Sequence, residues 1–232
     1  MKFSILATLV LLSVGSFAQD NPAQNQPTAG QVLSTHYART YQAGMRYNDY
    51  GIAKHALYNI LVEYPQNDSI LFSLSYLYFQ SQNYASAALT AQDVIALNPN
   101  HLGAMEVAAI SFETLGVKDK ALEAYESLYL KTDDVQSLYK MAFLQYETKS
   151  YAESKTNADI LLNKKELADL KASFDEDGVQ KEYPIKVALL NLKGLIAQAQ
   201  GDNKTAESLY NQALAISPDF KMAKDNLASL KK

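Results

Sequence analysis

The sequence predicts an all-α chain: a right-handed solenoid of five helix pairs, closed by a C-terminal capping helix and interrupted by a small β-hairpin before the fifth pair. Three observations predict it. Prolines and small residues recur 34 positions apart, as Pro65 and Pro99 or as Ala53, Ala87 and Ala121, and a fixed period of that size marks an array of supersecondary units. Within each half-period, apolar or small residues fall at i, i+3, i+4 and i+7, as at Leu71, Leu74, Ser75 and Tyr78, which is one face of a helix. The period is broken once, where Asp175-Glu176-Asp177-Gly178 separates two extended runs, the signature of a tight hairpin.

In chain order, residues 1–18 read as a signal peptide. Lys2 precedes an apolar run from Phe3 to Val14, about 18 Å long as a helix and well short of the ~30 Å needed to span a bilayer. Ser16-Phe17-Ala18 offers small residues at both positions a signal peptidase inspects, so cleavage is expected after Ala18. Localisation is therefore expected to be periplasmic or secreted, with no transmembrane anchor in the mature chain. Residues 19–30 are polar, hold two prolines and lack an apolar period. They read as a flexible linker, since such a segment buries too little surface to offset the entropy of ordering.

The repeat domain is expected over 31–232, with repeats at about 34–67, 68–101, 102–134, 135–168 and 187–220. Turns between paired helices are marked by Asn48-Asp49, Gln82-Asn83 and Gly116. The fourth copy follows at an offset of 67, where Tyr84-Ala85-Ser86-Ala87 matches Tyr151-Ala152-Glu153-Ser154. After Leu170 the helical period fails. Lys171 to Phe174 and Val179 to Ile185 form a hairpin within about 171–185, with Pro184 restricting the second strand to an edge. An isolated hairpin is marginal in water and must lean on neighbouring helices; it is open whether this one is an elongated connector or a second contact surface. The fifth copy carries Gly194, Gly201-Asp202, Ala206, Tyr210, Ala213 and Pro218. A capping helix is expected over about 219–230, with Phe220, Ala223, Leu227 and Leu230 on one face, closing an end that a repeat array would otherwise expose.

These residues resemble the tetratricopeptide repeat, whose pattern runs through an aromatic, a Leu-Gly pair, a second aromatic, then Ala, Phe and Pro. Asn191-Leu192-Lys193-Gly194 through Ala206, Tyr210, Ala213 and Pro218 matches it best. The chain has no tryptophan, so Tyr37, Leu71, Met105, Leu138 and Leu190 stand at the first aromatic position, and Asp133 replaces the third proline. The resemblance implies a solenoid whose first helices line a concave groove that holds proteins or peptides.

Composition narrows the chemistry. No cysteine is present, which removes disulfides, thiolate metal sites, a catalytic thiol and a lipid-modified cysteine. Without Lys2 the chain has 20 basic and 25 acidic residues, a net charge of −5, and nucleic acid is a poor partner for it. His36, His55 and His101 have no acidic or hydroxyl partner at a telling spacing. No enzyme, cofactor or metal centre is expected, and no residue is assigned a catalytic, cofactor-binding or metal-binding role. Asp133-Asp134 and Asp175 to Asp177 fall at turns and helix starts, where carboxylates cap amides.

Binding residues are sought on the first helices. Phe72, Tyr76 and Phe79 form a stripe separate from the one that packs within the repeat, and Tyr139, Phe143 and Tyr146 repeat it in the fourth copy. Between them in sequence stand Glu106, Ile110 and Glu113. A helix that is apolar on two faces needs two burial partners or presents one face to a ligand, and both readings of these aromatics are open. By the resemblance, the basic clamp for a C-terminal carboxylate would occupy Ala38, Gln42, Ser73, Gly103 and Val107, and none of these is basic. The expected function is a non-catalytic scaffold of the cell envelope or secreted space that binds protein or peptide through an aromatic groove with an acidic centre. The alternative is a small-ligand or glycan-binding accessory protein of an envelope uptake system, because tyrosine-rich surfaces also stack sugars.

Overall fold

The computed structural model describes residues 26–231; the expected signal peptide and the linker as far as residue 25 lie outside them. Among the described residues are eleven α-helices: α1 (Ala29–Arg46), α2 (Tyr50–Glu63), α3 (Asp68–Gln80), α4 (Tyr84–Leu97), α5 (Leu102–Thr114), α6 (Lys118–Thr132), α7 (Val135–Glu147), α8 (Tyr151–Asn163), α9 (Ile185–Ala199), α10 (Asn203–Ile216) and α11 (Lys221–Ser229). Strands β1 (Lys171–Glu176) and β2 (Val179–Pro184) intervene between α8 and α9. The helices fall in two compact units, one up to Val117 and one from Lys118 onward.

Each helix pair turns on the same backbone device. Asn48, Gln82, Gly116, Lys149 and Gly201 all adopt positive φ, between 57° and 81°, in the left-handed conformation that ends a helix. The next residue sends its N–H back five positions: Asp49 to Gly44, Asn83 to Tyr78, Val117 to Phe112, Ser150 to Gln145 and Asp202 to Ala197, at 2.8–2.9 Å. This is the Schellman arrangement, which satisfies carbonyls that the helix end leaves unpaired. Asp49, Asn83 and Asp202 then cap the following helix, accepting from Ile52, Ser86 and Thr205 N–H.

Small residues set how closely the paired helices approach. In the second pair Ser75 Oγ donates to the Ala87 carbonyl at 3.0 Å. In the fourth, 67 residues later, the two sides exchange roles: Ser154 on the second helix donates to the carbonyl of Ala142 on the first, at 2.6 Å. All four residues are fully buried. In the fifth pair Gly194 takes the position, and a Cβ there would collide with the ring of the buried Tyr210. The first pair departs from the spacing. Tyr41 stands at the register position, and the close contact moves one turn on to Gly44, where a Cβ would lie 2.8 Å from Ala53 N.

Cores follow from these contacts. Up to Val117, Ala53, Leu57, Leu74 and Leu77 form a buried cluster edged by Tyr41, Met45, Ile70 and Tyr78. From Lys118 onward, one cluster joins Tyr183, Val187, Leu190, Ala213, Phe220 and Ala223, and another joins Ala197, Ala206 and Tyr210.

Three boundaries differ from the sequence expectation. The linker expected to residue 30 ends earlier, because Thr28 and Gln31 form a capping box that starts α1 at Ala29. The fourth pair's second helix stops at Asn163 instead of running to Leu170; Lys164 is extended and a 3-10 turn follows over Lys165–Asp169. The hairpin turn is shorter than four residues. Asp177 (φ 56°) and Gly178 (φ 83°) alone make it, with positive φ at both as a type I′ turn requires, so β1 continues to Glu176.

The hairpin packs on the last helix and completes it. Phe174 and Tyr183 meet Phe220 edge-on, with ring centroids 5.2 and 4.8 Å away. Phe220 is the N-cap of α11 and has no side-chain oxygen to cap with. Glu176, arriving from the hairpin, accepts from Lys221 N–H at 3.0 Å and does so in its place. The same carboxylate meets Lys181 Nζ at 2.8 Å and accepts from Tyr183 Oη at 3.1 Å. The Lys181 ammonium, with the Lys221 N–H and Tyr183 hydroxyl, holds Glu176 below the usual glutamate range against the opposing effect of its burial.

Two outcomes follow for stability. Gly to Ala in an exposed helix stabilises by about 1 kcal/mol, but Gly194→Ala will lower the melting temperature, as will Ala87→Leu, each by overpacking worth roughly 1–3 kcal/mol; thermal melts check both. A carboxylate with a depressed pKa contributes stability above its unfolded pKa and loses it as pH falls through the folded one. Glu176→Gln will therefore destabilise at neutral pH by roughly 1–3 kcal/mol, the scale of hydrogen bonds to a charged group, and the difference will vanish on acidification below the ordinary glutamate range. Melts across pH that keep a constant difference would contradict this role for the charge.

Candidate peptide-binding surface

In the unit up to Val117 the candidate residues lie on α3 and α5, which pack together. Leu74, Ser75 and Leu77 turn the other face of α3 into the core, leaving Phe72, Tyr76 and Phe79 half-buried. They do not form one uniform stripe. The Phe72 ring lies 6.3 Å from that of Tyr76 and 4.3 Å from that of His101, and its Cζ would be 2.8 Å from a Cβ on Gly103. Phe72 is thus seated on the N-terminus of α5, where only glycine leaves it room. Phe79 meets Tyr84, the first residue of α4, edge-on at 5.8 Å, so it closes its own helix pair. Tyr76 is left as the half-buried aromatic between them.

On α5, Ala104, Met105, Val107, Ala108, Ala109 and Ser111 are buried, while Glu106, Ile110 and Glu113 are half-buried. α5, which packs against α3, therefore carries two half-buried carboxylates and a half-buried isoleucine. His101 has a structural role here: its Nδ1 accepts from Ala104 N–H at 3.1 Å and caps α5. At the adjacent end of α3, Asn98 donates to Asp68 at 2.9 Å and holds that carboxyl below its ordinary range.

In the unit from Lys118 onward the candidates lie on α7. Tyr139 and Phe143 pair along the helix at 4.7 Å, and burial pushes the Tyr139 hydroxyl far above the ordinary tyrosine range. Tyr146 meets Tyr151, the first residue of α8, at 5.8 Å, and burial together with Tyr151 raises its hydroxyl. Phe79 and Tyr146, 67 residues apart, therefore do the same work at equivalent turns. All three aromatics of α7 are half-buried.

Sequence spacing missed a further aromatic contact. Tyr58 and Tyr78 join hydroxyl to hydroxyl at 2.5 Å, Lys54 Nζ lies 5.2 Å from the Tyr78 ring centroid, and burial, then Tyr58, pushes Tyr78 up to about 12. The helical spacing of Leu71, Leu74 and Tyr78 points only to packing within the repeat. Among the described residues no group of three or more His, Cys, Asp or Glu is placed to hold a metal, and no helix is long and apolar enough to cross a membrane.

Comparison with known proteins places this geometry in context. Family profiles described as Tetratricopeptide repeat match residues 45–101 and 72–137, and another of the same description matches 187–220. Among curated proteins, none matches the sequence significantly. Solved structures share the fold. The crystal structure of MamA protein is 14% identical, covers 80% of this chain and 92% of its own, and superposes with a TM-score of 0.60. MamA from residue 41 to its end, from Desulfovibrio magneticus RS-1, is 13% identical over 81% and 97%, with a TM-score of 0.56. YrrB, described as a TPR protein with an unusual peptide-binding site, is 10% identical over 85% and 98%, with a TM-score of 0.63.

Proposed function

Because the chain belongs to the tetratricopeptide repeat family, we propose that it is a non-catalytic scaffold that binds protein or peptide partners through the aromatic faces of its first helices. The observation that carries the reading is the half-burial of Phe72, Tyr76, Tyr139 and Phe143. Each helix fills its core with other residues, so these rings retain contact area for a partner. Rigid aromatics lose little conformational entropy when they bind, which is why they anchor interfaces. On α5, which packs against α3, the Glu106 and Glu113 carboxylates favour segments that carry Lys or Arg next to apolar residues. YrrB's description as peptide-binding is consistent with this use of the fold. Phe79 and Tyr146 act behind the surface, holding each helix pair.

The same proposal sets the protein in the cell envelope or secreted space, on the strength of the Phe3 to Val14 apolar run and the small residues before Gln19. N-terminal sequencing of the product from an exporting host is expected to begin at Gln19; a product that keeps residues 1–18 would contradict the export reading.

Binding is tested with a peptide library varied in basic and apolar content. Peptides with Lys or Arg beside large apolar residues will bind best. Tyr76→Ala or Phe143→Ala will each weaken the selected peptide by about 2 kcal/mol, with a smaller effect on folding than the ~3–5 kcal/mol typical of truncating a fully buried aromatic. Glu106→Gln with Glu113→Gln will weaken binding and flatten its salt dependence. Full affinity in all of these variants, each still folded, would sink the assignment.

A further inference from the structure

The hairpin leaves two strand edges, and they are not alike. Ile185 N–H donates to the Leu170 carbonyl at 3.0 Å, extending the ladder that pairs Ala172 with Tyr183, Phe174 with Lys181 and Glu176 with Val179. Hydrogen-bonded and non-bonded pairs alternate in an antiparallel ladder. Lys171, Ser173 and Asp175 are therefore the non-bonded positions of β1, and their N–H and C=O groups point away from β2. On β2 the outward positions are Gln180, Glu182 and Pro184. Pro184 has no N–H to offer, which blunts that edge. The β1 edge keeps every donor and acceptor, and Lys171, Ser173 and Asp175 are exposed. Among the described residues no other backbone group pairs with them.

We propose that β1 is the pairing surface for a second copy of this chain, two β1 strands running antiparallel about a two-fold axis at Ser173 to form a four-stranded sheet. The side chains select that occupant and that register. With Ser173 opposite its own counterpart, Lys171 faces Asp175 of the other copy, and Asp175 faces Lys171. Opposite charges directly across a strand pair are stabilising and like charges destabilising. Sliding the strands until Lys171 meets Lys171, or Asp175 meets Asp175, replaces attraction with repulsion. The arrangement is self-complementary, as an isologous two-fold interface must be.

The outer face is ordered by hydrogen bonds within the hairpin. Asp175 accepts from Gly178 N–H at 2.9 Å and from Gln180 Nε2 at 3.1 Å, and Ser173 Oγ donates to Gln180 at 2.9 Å. Six residues of strand make a contact smaller than the ~1,000 Å² of a stable interface, so the dimer forms in proportion to concentration. The proposal does not depend on what the aromatic faces of α3 and α7 bind.

The chain has no cysteine, so Ser173→Cys introduces a single thiol. In this register its counterpart lies about 5.5 Å away between Cα atoms, within disulfide reach. Under mild oxidation of the full chain, Ser173→Cys is expected to crosslink several-fold faster than Glu182→Cys, which places an exposed thiol on the other edge. Adding Lys171→Glu to Ser173→Cys removes that advantage. In sedimentation, the mass of the unaltered chain rises towards twice the monomer's with concentration. Lys171→Glu alone and Asp175→Lys alone remain monomeric, and their mixture dimerises because each pair is again of opposite sign. Equal crosslinking from the two edges, a monomer at every concentration, or a dimer indifferent to both charge changes would each overturn the proposal. So would a β1 edge that captures an unrelated protein in preference to its own copy.

Discussion

The contact on which the structure depends is the close approach of two helix backbones within the pairs α1/α2, α3/α4, α7/α8 and α9/α10, where small residues such as glycine, alanine or serine stand at the crossing. Ser75 against Ala87 and Ala142 against Ser154 are the same junction with its hydrogen bond reversed. The hydroxyl can stand on either helix because what the junction needs is small volume and one satisfied carbonyl. Gly194 takes this to its limit by seating the Tyr210 ring where a side chain would be. Once the crossing is fixed, the Schellman turn and its capping residue fix the direction of the return helix. The larger apolar residues then fall into place on either side.

Aromatics are distributed by that geometry. A first helix presents more apolar surface than its pair can cover, and the surplus divides consistently. The last aromatic of the stripe, Phe79 or Tyr146, reaches back to the first residue of the partner helix, Tyr84 or Tyr151. The two before it remain half-buried: Tyr139 and Phe143 pair along their helix at 4.7 Å, while Phe72 lies nearer the ring of His101 than that of Tyr76. The functional proposal rests on this division, because Phe79 and Tyr146, although half-buried themselves, are held against the partner helix of their own pair.

Much of this was legible in the sequence, for physical reasons. The 34-residue spacing of alanines exposed the helix pairs because close packing tolerates few residue types, and Asp177-Gly178 exposed the hairpin because few dipeptides adopt two positive φ angles. Lys149 was not legible as a turn: lysine has no preference for the left-handed region, and only its register with Gln82 and Gly116 points to it. Thr28 was hidden within a polar stretch although its capping box with Gln31 is a local signal. Glu176 as the cap of α11 had no local signal, since its partner Lys221 is 45 residues away. The division of the aromatic stripes could have been found, because an aromatic five residues after Phe79 recurs five residues after Tyr146.

Native-state hydrogen exchange, read residue by residue, tests the central claim most directly. If small-residue crossings hold the fold, the slowest amides in each unit will cluster on the helix turns around them, near Ser75 and Ala87 in one and near Gly194 and Ala206 in the other. Slowest exchange that instead falls at the helix ends, away from Ser75, Ala87, Gly194 and Ala206, would show that the crossings do not hold the fold, and would contradict the account.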